Sequence, residues 1–233
     1  MLDALGLLAV AALVGGPALA WLRLVPAMAG FGAFALGGVL ALVVAVASIV
    51  WAARGGGVGR ARRVAIVAAA VFMVLASRNA GAPRINDFTT DPIDPPAFVH
   101  ARALAANAGR DLAYPPAFAE VQHRCCADLY PARVAAGRDE AFERAARVAE
   151  RMPRWRVTVA DPVAGTIEAV VASRLFGFED DVVIRVRAAG DGASRVDVRS
   201  KSRDGEGDLG VNAARIRAFV VALEGLPTTG RDG

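Results

Sequence analysis

Two stretches without a charged side chain, residues 4–22 and 24–53, open the chain and restrict its possible folds more than any other feature. Each is long enough to cross a hydrocarbon core of about 30 Å at about 1.5 Å per residue. A third apolar run, Val64–Ser77, has 14 residues. Arg62, Arg63 and Arg78 can snorkel at its ends, and Asn79–Ala82 adds an uncharged extension, so a short third span is expected. Residues 1–80 therefore read as a three-span transmembrane anchor with the lipid bilayer as its partner. Glycines and alanines dominate the runs (Gly15, Gly16, Gly30, Gly32, Gly37 and Gly38 among them), which suits close helix–helix approach. The runs contain no ionisable residue to relay ions or protons, which speaks against a channel or pump.

Charge sets the expected orientation. Residues 1–80 hold one acid, Asp3, and six arginines, a net +5, against +4 for the whole chain. Residues 81–233 are thus at net −1. The basic balance belongs to the membrane flanks, and no basic face remains for a nucleic-acid backbone. Four arginines lie in the loop Arg54–Arg63 and one, Arg23, follows the first run. The positive-inside rule places the four-arginine loop and the N-terminus in the cytoplasm and, with three spans, the C-terminal domain in the periplasm. Without the third span that domain stays cytoplasmic. The competing reading of the start is a signal peptide cleaved after Ala18-Leu19-Ala20. Against it, the first residues carry Asp3 and no Lys or Arg, and further apolar runs follow.

The remaining length suffices for one domain with its own core. Residues 81–122 are rich in proline (Pro83, Pro92, Pro95, Pro96, Pro115, Pro116) and read as an extended linker, broken by a short helix near Ala97–Ala106. Residues 123–233 read as an α+β domain. A strand at Leu129–Ala135 precedes an amphipathic helix, Asp139–Met152, stopped by Pro153. Four strands follow: Trp155–Ala160, Thr166–Ser173, Asp181–Arg187 and Ser194–Ser200. Ile167, Ala169, Val171, Val182, Ile184, Val186, Val196 and Val198 alternate onto one face. A helix over Leu209–Leu223 ends the domain, with Asp208 as its N-cap and Leu209, Ala213, Ile216, Val220 and Leu223 on one face. The order strand, helix, four strands, helix with short turns predicts one antiparallel sheet with both helices packed on one face.

Polar groups concentrate in 173–215. Arg174, Asp180, Asp181, Arg199, Ser200, Ser202, Arg203, Asp208 and Asn212 sit at strand ends and a helix start, where they can meet at one sheet edge. Arginine forks there can hold a carboxylate or phosphate bidentately, and an aspartate can act as a base. The competing reading is an ion-pair and capping network that locks the domain. Asp180 and Asp181 are neighbours in a strand and point to opposite faces, which weakens a shared catalytic role. Arg199 lies opposite Val196 and Val198, away from the core helices, and is expected to meet a ligand or solvent.

His123-Arg124-Cys125-Cys126 lacks the spacing of a closed zinc site, with His100 the sole further histidine, so neither a metal nor another cofactor is expected. In an oxidising compartment Cys125 and Cys126 can form a disulfide with each other or another chain; the alternative is a pair of buried thiols. Nucleophile triads, a P-loop and a dinucleotide-binding glycine pattern are absent from the sequence, and Gly205-Glu206-Gly207 follows an antiparallel strand.

Residues 173–186, SRLFGFEDDVVIRV, followed by VRSKSR (198–203) and GDLGVNAARI (207–216), resemble the domain-of-unknown-function family 1499 across roughly Tyr130–Leu226. INDFTTDPIDPP (85–96) is similar to the linker of its membrane-anchored bacterial members. Shorter members carry a Pro-Asn-Cys-Val segment that this chain lacks, so no cysteine role is carried over. The resemblance implies the fold and the site positions and no activity. The expected function is a membrane-anchored accessory protein whose polar edge binds an envelope protein partner or an anionic small ligand. The alternative is a hydrolase-like envelope or lipid enzyme using the same Asp and Arg residues.

Overall fold

The structure, a computed structural model, describes residues 1–77 and 81–225. It divides into two units. The first holds Met1–Gly81 together with Ser173–Phe178; the second holds Ala82–Ala172 and the chain from Glu179 onward.

Three helices build the first unit: α1 (Leu2–Trp21), α2 (Ala27–Ala53) and α3 (Arg60–Ser77). Small residues set their separation. A Cβ on Gly16 would come within 2.5 Å of the Gly30 carbonyl oxygen, and one on Gly38 would collide with the Phe72 ring. The single acid of this half, Asp3, pairs with Arg62 at 3.2 Å, so α1 and α3 start at the same end of the bundle. Arg62 and Arg63 also donate to the Gly57 and Val58 carbonyls. Among the described residues two helices, α1 and α2, are long and apolar enough to cross a membrane, not the three expected. The reason lies in the first turn of α3, where Arg60, Arg62 and Arg63 shorten the apolar part. Core helices of soluble proteins and signal sequences meet the same length and composition test. Arg78 and Asn79–Ala80, invoked above to extend the third run, lie outside the described residues.

The second unit is built on an antiparallel sheet of β1 (Asp87–Thr89), β2 (Ala132–Val134), β3 (Trp155–Asp161), β4 (Thr166–Ala172), β5 (Glu179–Ala188) and β6 (Ser194–Ser202). Its order is β1-β6-β5-β4-β3. The short strands β1 and β2 share one edge of β6, β1 along 199–201 and β2 along 194–196. Two helices, α6 (Arg138–Arg151) and α7 (Val211–Glu224), cover the face that the alternation made apolar. Ile167, Val171, Val182, Ile184, Val186, Val196 and Val198 pack there against Phe142, Ile216 and Phe219. Trp155 stacks on Phe219 with ring centroids 5.6 Å apart. Gly190-Asp191-Gly192 makes the expected β5–β6 turn, all three with positive φ.

Residues 82–122, read above as a linker, lie in this second unit. They supply β1, then α4 (His100–Ala103), a single 3₁₀ turn (Ala105–Asn107) and α5 (Pro116–Cys125). Phe98, Ala101 and Leu112 form a small second core on Val183, on the sheet face away from α6 and α7. Proline content rules out a long helix here but not a packed irregular cover. Such a cover must satisfy its own backbone. Thr90 N–H bonds the Val198 carbonyl at 2.9 Å, and Val198 N–H bonds the Thr90 hydroxyl at 2.9 Å. The end of the fold differs in one detail from the expectation: Leu209 has φ +56° and is exposed, and α7 begins at Val211.

Phe219 is fully buried while Val221 on the same helix is 69 % exposed. Phe219→Ala is expected to cost about 3–5 kcal/mol and Val221→Ala no more than about 0.5 kcal/mol, measured by denaturant melts of the full chain.

Candidate functional site: a two-faced polar network

Arg199 stands in β6 and projects from the face opposite Val196 and Val198, as the alternation requires. There it meets the proline-rich cover instead of solvent. Its side chain is 2 % exposed and that of its partner Asp87 fully buried. The guanidinium donates to both Asp87 oxygens, at 2.9 and 2.7 Å. It also donates to the Pro96 and Leu112 carbonyls, at 3.1 and 2.8 Å. The Phe98 ring lies 4.8 Å from it and the Tyr114 ring 5.5 Å. Lys201 adds a second cation to Asp87 at 3.3 Å. Burial, and then the Asp87 charge, push the Tyr114 hydroxyl well above the usual tyrosine range. The expectation of a solvent- or ligand-facing Arg199 is therefore corrected: the missing piece was the cover.

The same face holds three more buried carboxylates, Glu168, Asp181 and, at its far end, Asp197. Glu168 of β4 accepts the Val99, His100 and Ala101 amides at 2.7–2.9 Å and so pins the start of α4 to the sheet. Asp181 of β5 accepts Arg203 through two bonds, at 3.0 and 2.6 Å, and Asn107 at 2.8 Å. Arg203 also pairs with Glu179. Gln122 of α5 bonds the Thr89 amide and carbonyl, at 3.0 and 2.6 Å, and closes the free edge of β1 as a further strand would.

Asp180 faces the other way, into the α7 side. Arg215 reaches it at 2.6 Å. Arg215 also donates to Ser200 and Asn212. Ser200 bonds Asn212 at 2.6 Å, and Asn212 donates to Ser202 at 2.9 Å. Burial is the main cause that raises the Asp180 carboxyl above its ordinary value, with Arg215 pulling it back. The N-cap residue of α7 is Gly210, not Asp208 as expected; Asp208 holds the helix start from two residues earlier, its carboxylate accepting the Gly210 and Asn212 amides at 2.8 and 2.6 Å. Burial raises its carboxyl too, against the two amides.

The nine residues singled out by sequence thus do not converge. Asp180, Ser200, Ser202 and Asn212 form one network, with Asp208 at its edge; Asp181 with Arg203 and Arg199 with Asp87 lie on the opposite face. Arg174 belongs to the first unit. Sequence reading missed Asp87, Asn107, Gln122, Glu168 and Arg215. Arg215 follows Asn212 at helical i+3 spacing, a usable signal. Asp87 and Gln122 lay in a segment taken to be a linker.

Cys125 closes α5, and both cysteines are free thiols with sulfurs 2.7 Å apart. Burial and the neighbouring Cys126 thiol push Cys125 up to about 12. Among the described residues, clusters of three or more His, Cys, Asp or Glu side chains able to hold a metal are absent.

Exposed arginines gather at the far end of the same sheet face. Arg187 and Arg195, about 40 % exposed, share Asp91 and the buried Asp197. With Arg133, Pro131 and Ala188 they line an open groove of about 570 Å³.

An α+β domain of this build, with helices on one sheet face and an ion-paired cover on the other, has a match among known families. The chain belongs to the family described as "Protein of unknown function (DUF1499)", whose model matches residues 87–223. The match starts at Asp87 and ends in α7, so the Arg199–Asp87 pair and the cover from Asp87 onward fall within it. No curated protein matches the chain.

Arg199→Ala leaves Asp87 with Lys201 alone in a dry site, and a loss of about 3–5 kcal/mol is expected. Arg199→Lys should rescue it poorly, because an ammonium cannot make the fork and reach both carbonyls. Chemical melts of the two variants check this.

Asp208 gives a pH test. Its folded-state proton affinity exceeds the ordinary value of 3.8. Its contribution to stability is therefore fully present below that value and is lost as pH rises through the raised one. Asp208→Asn keeps an acceptor oxygen for the cap and removes the titration. The variant should gain stability relative to the parent as pH rises above about 4. Parallel stability curves of parent and variant across pH would contradict this.

Proposed function

We propose that the chain is a membrane-anchored accessory protein of the cytoplasmic membrane, without an enzymatic role. Its C-terminal domain sits on the periplasmic side and offers the Arg133/Arg187/Arg195 groove to an anionic group of a small ligand or an envelope partner. The observation that carries the binding reading is the contrast within one sheet face. Asp87, Glu168 and Asp181 are buried and spent on internal partners, whereas three arginines reach solvent together. Guanidinium forks already held by aspartates are pre-oriented, so an incoming carboxylate or phosphate meets ordered donors. The hydrolase-like alternative needs a carboxylate that a substrate can reach. Asp180 and Asp181 are 4 % and 1 % exposed, and their side chains leave the sheet on opposite faces.

The periplasmic assignment rests on α3 completing the bundle as a short membrane-crossing helix. Val64, Val67, Val71, Val74 and Leu75 are all exposed on it, a surface that suits lipid. Its start lies beside Asp3, so the chain leaves the bundle at the end away from the Arg54–Arg63 loop.

Two measurements test the reading. Alkaline phosphatase fused after Gly233 should be active in cells; an inactive fusion with normal expression would place the domain in the cytoplasm. Citrate and inorganic phosphate should raise the melting temperature of the purified full chain saturably, beyond chloride at equal ionic strength. The Arg133→Ala/Arg195→Ala double variant should lose that rise. An identical response in the double variant would remove the groove from the proposal.

A further inference from the structure

Among the sequence-selected polar residues, Arg174 alone takes no part in the networks above. Segment Ser173–Phe178 belongs with the three helices, and aromatic contacts fix it there. Phe176 packs edge-on against Phe31 and Phe34 of α2 at 5.4 and 5.6 Å, and Phe178 packs against Phe31 at 6.1 Å. Phe34 in turn meets Phe72 of α3 at 5.5 Å. Four phenylalanines thus hold the segment while its other two large side chains, Arg174 and Leu175, turn outward and are exposed.

Those two residues complete a groove of about 470 Å³ along the end of α1, lined also by Val14, Pro17, Ala18, Trp21 and Leu22. The volume falls in the range of small-molecule sites, about 300–1,000 Å³. The lining is apolar except for one cation. Arg174 has neither a carboxylate nor a carbonyl partner among the described residues, unlike the arginines of the sheet. Trp21 and Leu22 are themselves 64 % and 56 % exposed, so the apolar wall is open to whatever surrounds α1. An apolar trough with a lone guanidinium and a tryptophan near a helix end matches a molecule with a hydrocarbon chain and an anionic head.

We propose that this groove binds one anionic phospholipid, with an acyl chain along Val14, Ala18 and Leu175 and the phosphate on Arg174. The proposal rests on the membrane reading of α1 and α2 made above. It assigns the first unit a lipid selectivity, in addition to an anchoring role.

The test uses the full chain with Trp51→Phe and Trp155→Phe, leaving Trp21 as the sole tryptophan, reconstituted in phosphatidylcholine vesicles. A minority of brominated phosphatidylglycerol should quench Trp21 as though enriched about fivefold over brominated phosphatidylcholine at the same mole fraction, the effect of about one cation on an anionic lipid. Arg174→Ala should abolish the preference, Arg174→Lys should retain most of it, and Arg174→Glu should invert it. Equal quenching by both lipids in the parent would overturn the lipid site while leaving the anchor intact. Equal preference in parent and Arg174→Ala would overturn the role of Arg174 and hence the site. Quenching by neither lipid would overturn the membrane reading and the site with it.

Discussion

Arg199 lies in the middle of β6 with no route to water, and its charge dictates what can cover that side of the sheet. A guanidinium carries five donors and cannot shed its proton, so a buried one needs a carboxylate and further acceptors in fixed places. Asp87 supplies the carboxylate from the neighbouring strand. Pro96 and Leu112 supply carbonyls from the cover. The proline-rich composition of that cover suits the task. Proline breaks up helices, whose carbonyls would otherwise be consumed internally, and leaves backbone acceptors free to point at the sheet. One side chain thereby ties β1, β6 and both ends of residues 96–112 into a single arrangement.

Glu168 and Asp181 repeat the logic with the sign reversed. Each is a buried acid on β4 or β5 that takes its donors from the cover or from the chain just past β6. Replacing such pairs by apolar groups is often neutral or favourable for stability in other proteins, so their value here lies in register. An apolar cover could slide on Val183; a cover whose amides must meet Glu168 and whose carbonyls must meet Arg199 has one position. The opposite face shows the contrasting solution, with Phe142, Ile216 and Phe219 buried on a valine-rich surface and the polar network confined to the strand ends.

The apolar half of this fold was legible in the sequence because its signal is periodic. Val182, Ile184 and Val186 alternate, Ala213, Ile216, Val220 and Leu223 recur at helical spacing, and the structure buries them all. The other half carries no period. Arg199, Asp181 and Glu168 sit where alternation predicts exposure, and nothing in their own strands marks them as covered. The marker lay far away, in a stretch whose prolines suggested a connector. Its aromatic and apolar residues, Phe88, Phe98, Leu112 and Tyr114, were the overlooked evidence of burial. The opposite directions of Asp180 and Asp181 were readable from strand geometry alone, whereas their partners Arg215 and Arg203 required the three-dimensional fold. On the membrane side, length and charge located three helices, and the arginines in the first turn of α3 reduced the clear membrane-crossing candidates among the described residues to two.

The central claim is that the cover belongs to the cooperative core of the domain and is not a tether lying against it. Native-state hydrogen exchange of the full chain measures this directly. The amides of Val99, His100 and Ala101, which donate to Glu168, should exchange only through global unfolding, with the same protection as the α7 amides around Phe219. Protection far below that of α7, insensitive to denaturant, would show the cover opening on its own and would contradict the account.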